Sequence, residues 1–162
     1  MGIYELLMQE NMTVTTAESC TGGLVASALV DIPGISSFFR EGYITYAPEA
    51  KERILGVPKE TIQQYGVVSI QTAAAMAKGA AQAAKADCSV ATTGVAGPDG
   101  GTKETPVGTV CFGCCVRGQI FTDRKMFYGD RRQVRTAAAD YGIRFLQDCI
   151  GRVIMSGNGG QQ

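Results

Sequence analysis

Ala17-Glu18-Ser19-Cys20-Thr21-Gly22-Gly23 joins a run that reads as a strand, Thr13 to Ala17, to one that reads as a helix, Gly22 to Val30. The β-branched residues of the first run favour extended chain. The second is stopped by Asp31-Ile32-Pro33-Gly34. A strand handing over directly to a helix is the unit of an α/β fold. The turn between them gathers hydroxyls, a thiol and backbone N–H groups, the equipment of nucleophilic catalysis and anion binding. The chain contains no histidine, so any nucleophile here must be activated by something other than imidazole.

Outward from this turn the alternation continues. Residues 2–10 read as a short amphipathic helix, Ser36 to Phe39 as a helical turn, and Gly42 to Tyr46 as a strand. Pro48 suits a first helical position, with a helix following to Leu55. Pro58 to Gln64 repeats the device. Ser69 reads as the N-cap of an Ala-rich helix over residues 70–85. Cys88 to Thr93 reads as a buried strand that opens into the Gly-rich loop Gly94 to Pro106. Val107 to Val116 and Gln119 to Tyr128 form a hairpin around Arg117-Gly118. Asp130 caps a final helix to about Ile150, with Val134, Ala138, Tyr141, Phe145 and Cys149 as its buried stripe. The expected architecture is a single three-layer α/β/α domain around a mixed sheet, residues 1–155, with 156–162 as a disordered tail.

The 162 residues suffice for one domain with a core. Hydrophobic residues at 45% and charged residues at 19% describe an ordinary globular protein. The 15 basic and 15 acidic residues cancel, so nothing global attracts nucleic acid or a membrane, and neither is expected as a partner. Most of the six cysteines lie in apolar runs, where Cys acts as a small hydrophobe. With no secretory signal or spanning segment recognised, a reduced cytoplasmic setting is expected. Cys111-x-x-Cys114 has the spacing of half a zinc site but lacks the other half, so no metal and no cofactor are expected.

Three polar clusters follow strand ends: residues 18–23, 46–51 and 93–101. In open α/β sheets ligands collect at the carboxyl ends of strands. The loop glycines Gly94, Gly97, Gly100 and Gly101 match neither the dinucleotide nor the P-loop spacing, yet suit N–H groups converging on a phosphate. Arg131, Arg132 and Arg135 occupy the first turns of the last helix, against its dipole, and become favourable there if an anion binds. A solvated surface capped by Asp130 is the alternative. Ser19 is the candidate nucleophile. Its base must be a lysine, a tyrosine, a carboxylate or a terminal amine. Lys51 is the attractive partner, with Tyr46 as proton relay or support. Taken alone, however, Lys51 reads as an exposed lysine on a short helix. Cys20 is a rival nucleophile without a histidine partner.

Several ordered motifs resemble one family. They are Ala17 to Gly23, Thr45-Tyr46-x-x-Glu49-Ala50-Lys51, Gly66-x-Val68-Ser69, Thr93-Gly94-x-Ala96-Gly97-Pro98-Asp99-Gly100-Gly101, Pro106 to Val110 and Gly129-Asp130-Arg131. Together they resemble the C-terminal domain of the bacterial competence-damage-inducible CinA proteins, over about residues 2 to 153. The resemblance implies a nicotinamide-nucleotide amidohydrolase (nicotinamide mononucleotide deamidase) of pyridine nucleotide salvage, a part of NAD metabolism. It implies Ser19 as nucleophile, Lys51 as base and Tyr46 assisting. Thr21, Gly22, Gly23, Thr93, Gly94, Gly97, Gly100, Gly101 and Arg131 are the expected substrate-binding residues, with the 5′-phosphate on the glycine loop or near Arg131. A non-catalytic nucleotide- or phosphate-binding module linked to competence or DNA damage is the alternative. A homodimer is the expected assembly, from the base rate for enzymes of this size.

Overall fold

The computed structural model describes residues 1–158. In chain order the elements are α1 (Ile3–Glu10), β1 (Val14–Glu18), α2 (Leu24–Val30), a 3-10 turn at Ile35–Ser37, β2 (Tyr43–Ile44), α3 (Pro48–Leu55), α4 (Lys59–Tyr65), α5 (Ile70–Ala84), β3 (Cys88–Gly94), β4 (Thr109–Val116), β5 (Gln119–Met126) and α6 (Arg131–Asn158). The sheet order is β2-β1-β3-β4-β5. β1 pairs in parallel with both β2 and β3, whereas β3, β4 and β5 pair antiparallel, so the sheet is mixed.

Alternation along the strands divides the core in two. Val14, Val90, Phe112 and Cys114 pack with α1, α2 and α6 through Leu7, Leu29, Leu146 and Ile150. Their neighbours Ala17, Ala91 and Cys115 pack on the other face with Leu55, Met76, Ala77 and Ala80. This is the three-layer α/β/α arrangement around a mixed sheet. Cys111 and Cys114, three apart on one strand, project to opposite faces and cannot share an ion.

The alanines of α5 do more than favour helix. They let the helix approach the sheet so closely that a Cβ on Gly113 would lie 2.2 Å from the Ala73 carbonyl oxygen. Gly79 is likewise filled by the end of α3, where a Cβ would lie 1.8 Å from the Leu55 carbonyl. Gly113→Val must push α5 off the sheet and is expected to cost about 3 kcal/mol. The check is urea unfolding, which should show a lower midpoint with an unchanged slope.

The structure corrects several boundaries, the hairpin strands starting at Thr109 and ending at Met126 rather than at Val107 and Tyr128. β2 is two residues long rather than Gly42 to Tyr46, because the chain leaves the sheet after Thr45 N–H donates to the Glu18 carbonyl at 2.9 Å. That departure frees the Thr45 and Tyr46 carbonyls to face elsewhere. α6 does not stop near Ile150 but continues to Asn158, since Cys149, Ile150 and Val153 keep its apolar face against the sheet. Ser156 and Gly157, expected in a disordered tail, are therefore helical, and residues 159–162 lie outside the described residues. The cap of α6 is reciprocal: Gln133 N–H donates to Asp130 Oδ1 at 2.8 Å and Asp130 N–H donates to Gln133 Oε1 at 2.8 Å.

Candidate active site

Because β1, β2 and β3 run parallel, the turns that follow them open on one edge. Ser19 follows β1, Tyr46 follows β2, and Thr93 and Gly94 end β3. Together with Lys51 and Arg131 they line a cleft of about 200 Å³. Pro48, Cys20, Ala96, Val67 and Val68 complete its wall.

Lys51 occupies the buried face of α3 with Leu55, one turn on. Pro48 stands at the first helical position, which costs the helix no hydrogen bond. Far from being exposed, Lys51 is only 1% accessible. No carboxylate pairs with it among the described residues. Its Nζ lies 3.0 Å from Ser19 Oγ and 2.7 Å from the Thr45 carbonyl, with a longer 3.5 Å contact to the Tyr46 carbonyl. Burial disfavours the ammonium and lowers the pKa from 10.5 to about 8, with Cys20 nearby acting weakly the other way. As an ammonium Lys51 donates to all three oxygens. As a neutral amine it keeps two protons for the carbonyls, which leaves its lone pair for the Ser19 hydroxyl.

The helix end behind Ser19 is not an open anion site. Glu18 is fully buried, and Oε1 accepts from Thr21 Oγ1 at 2.6 Å, Val25 N–H at 2.8 Å and Gly23 N–H at 3.2 Å. Oε2 accepts from Ala26 N–H at 3.0 Å. The carboxylate thus satisfies the donors that begin α2 and occupies the place of an external anion. Thr92 Oγ1, 2.8 Å from Thr21 Oγ1, completes the network. Gly22 N–H donates back to the Ser19 carbonyl at 3.0 Å. Gly22 and Gly23 adopt φ of 57° and 102°, left-handed values that favour glycine. Their amides are therefore committed internally, contrary to expectation. The Thr21 amide has no partner among the described residues, and the Cys20 amide meets only its own thiol.

The remaining expected residues divide. Tyr46 turns its carbonyl towards Lys51, while its phenol points outward and accepts from Arg131 Nη2 at 3.1 Å. The phenol does not reach Ser19 or Lys51 as a relay would. Arg131 Nη1 donates to the Gly97 carbonyl at 2.6 Å, so Arg131 ties the glycine loop to Tyr46 at the rim. Thr93 is on the wall but donates its hydroxyl to the Val67 carbonyl at 2.7 Å. Gly94 is held to glycine by β4, since a Cβ would lie 2.6 Å from the Thr109 carbonyl. Gly100 lines a neighbouring depression with Tyr65 and Thr105, and Gly101 packs against Val107. Neither lines the cleft. Arg135 is turned inward to the Cys20 and Thr21 carbonyls, which removes it from the expected anion cluster. Cys20 is buried and its thiol pKa is raised to about 12, chiefly by desolvation, so it is no thiolate rival to Ser19.

Sequence reasoning missed the apolar wall at Val67, although Val68 stood in a motif already singled out. It also missed the Glu18 cap, which lies within the opening turn itself, and the Arg135 contact, which joins residues whose proximity no spacing reveals.

The model of the CinA C-terminal domain matches residues 2–150. A Clostridium novyi protein bearing the name competence-damage inducible protein is 54% identical over 143 residues, which is 88% of this chain and 34% of that protein. A CinA-like protein of Kosmotoga olearia is 46% identical over 91% of this chain and 36% of its own length. The chain thus spans about a third of these curated relatives. Among solved structures, the competence or damage-inducible protein of Enterobacter asburiae superposes with a TM-score of 0.88 at 38% identity, covering 91% of this chain and 93% of that one. The competence/damage inducible protein CihA of Agrobacterium tumefaciens gives 0.85 at 41% identity, with 90% of each chain covered. Motifs, fold and relatives agree, and the chain belongs to the CinA family through that family's C-terminal domain.

Proposed function

We propose that the protein is a serine amidohydrolase acting on a primary carboxamide, with nicotinamide mononucleotide as its substrate. The observation that carries this reading is the buried Lys51 amine 3.0 Å from Ser19 Oγ, unpaired with any carboxylate among the described residues. A lysine kept for stability alone would be paired or solvated. The choice of nicotinamide mononucleotide rests on the family resemblance.

In this mechanism neutral Lys51 removes the Ser19 proton as Oγ attacks the carboxamide carbon. The oxyanion forms beside the Cys20 and Thr21 amides. The Lys51 ammonium then protonates the departing nitrogen, which leaves as ammonia. The acyl-Ser19 ester is hydrolysed by water whose proton passes to Lys51. That proton returns to Ser19 Oγ as the acid product, nicotinate mononucleotide, is released and gives up its carboxyl proton to solvent. Arg131 at the rim is suited to the 5′-phosphate.

The test is ammonia release from the mononucleotide, from the corresponding dinucleotide and from free nicotinamide. Turnover of the mononucleotide is expected. Binding of the mononucleotide without ammonia release would instead support the non-catalytic module. Arg131→Ala is expected to raise KM for the mononucleotide about tenfold or more, with little effect on kcat. An unchanged KM would remove Arg131 from phosphate binding.

A further inference from the structure

α6 sends two arginines one turn apart toward the site. Arg131 stops at the rim. Arg135 reaches the nucleophile turn, where its Nε donates to the Cys20 carbonyl at 2.9 Å and its Nη2 to the Thr21 carbonyl at 3.0 Å. Among the described residues no carboxylate pairs with it. We infer that Arg135 is a positioning residue, whose guanidinium orients and polarises the Cys20–Thr21 peptide so that the Thr21 N–H stabilises the oxyanion. This rests on the amidohydrolase reading above.

The Cys20 carbonyl and the Thr21 amide belong to one peptide plane, and in a trans peptide the N–H points away from the C=O. A cation bonded to the oxygen draws density through the amide and makes the N–H a stronger donor. The Nε prong holds this peptide and the Nη2 prong holds the next one through the Thr21 carbonyl, so the fork restrains the plane from both sides of Thr21. The Thr21 N–H, in a fully buried residue directly behind the Ser19–Cys20 wall of the cleft, has no partner among the described residues, so nothing in the turn competes for it.

The turn also needs the positive charge. Glu18 buries a carboxylate within hydrogen-bond reach of Thr21, and a second negative charge forming beside Ser19 is opposed by it. The Cys20 thiol, raised chiefly by desolvation, lies in the same field, where Glu18 pushes its pKa further up and Lys51 and Arg135 push it down. Gly22 leaves room for the clasp, because a Cβ there would lie 3.1 Å from Arg135 Nη2. An arginine in the second turn of a helix works against the dipole, and these two carbonyls supply the compensation.

The test compares wild type, Arg135→Met and Arg135→Lys on nicotinamide mononucleotide and on its thiocarboxamide analogue, whose sulfur accepts hydrogen bonds poorly. Arg135→Met is expected to lose about tenfold to a hundredfold in kcat on the carboxamide, with KM nearly unchanged. The loss on the thiocarboxamide should be markedly smaller. Arg135→Lys keeps the charge without the fork and should fold even if the methionine variant does not, with an intermediate rate. Its pH profile should keep the wild-type inflection, because Lys51 is untouched. Equal losses on both substrates, or a rate unchanged in both variants, would overturn the inference while the amidohydrolase reading stands. A wild type inert towards both substrates overturns the two together.

Discussion

Ser19→Ala releases no measurable ammonia from nicotinamide mononucleotide, the rate falling by roughly 10⁴-fold or more, because the covalent step has no substitute nucleophile. Cys20, the nearest alternative, holds its thiol protonated with a pKa raised to about 12. The substitution removes the Lys51-bonded hydroxyl of a residue that is 8% exposed. The fold is therefore expected to survive, with a stability change within about 1 kcal/mol. Nucleotide binding should persist too, since the rim at Arg131 and Tyr46 is untouched. Continuous ammonia detection, with ligand titration of the inactive variant, checks both halves. Activity within tenfold of wild type would exclude Ser19 as the nucleophile.

Lys51→Met is the second large effect, and pH distinguishes its chemical role from a structural one. With a pKa of about 8, Lys51 is mostly protonated at pH 7 and cannot take the Ser19 proton. Wild-type kcat/KM should therefore rise tenfold per pH unit below about 8 and level above it. Lys51→Met should lose about a thousandfold or more at the plateau, and the inflection with it.

The same group makes a stability prediction. An unfolded lysine titrates near 10.5, so between about pH 8 and 10.5 the unfolded chain holds a proton the folded chain has lost. Stability then rises with pH, by up to about 1.4 kcal/mol per unit and about 3 kcal/mol in all. Below pH 8 both states hold the proton, and the folded protein bears the full cost of the buried charge. Relative to Lys51→Met, wild type should gain stability between pH 7 and pH 10, a comparison in which the other titrating groups cancel. Denaturant unfolding of both proteins at the two pH values measures it. A pH-independent difference would mean that Lys51 is not desolvated as the fold implies.

These expectations trace to features of unequal visibility. The strand-to-helix turn at residues 18–23, the Ser69 cap, the Arg117-Gly118 hairpin and the Asp130 cap were legible because each is local: a few neighbouring residues carry the whole signal. The Ser19, Tyr46 and Lys51 group was legible because three strand-end clusters had to open on one sheet edge. The burial of Lys51 was not. Its environment comes from Thr45, Tyr46 and Ser19, and the local pattern of a lysine on a short polar helix points to solvent.

Local sequence and the absence of histidine thus define the element order, the layers, Ser19 as the nucleophile to test and the need for an unusual base. Folding assigned the rest. It placed Glu18 in the helix end that had looked like an anion site, turned the Tyr46 phenol outward, moved Gly100 and Gly101 off the cleft and brought Arg135 onto the nucleophile turn. The physical reason is that a donor's availability depends on what else comes within 3 Å of it. Residues 17–23 specify which groups the turn offers, whereas the partners that occupy or strengthen those groups can come from far along the chain, as Arg135 does.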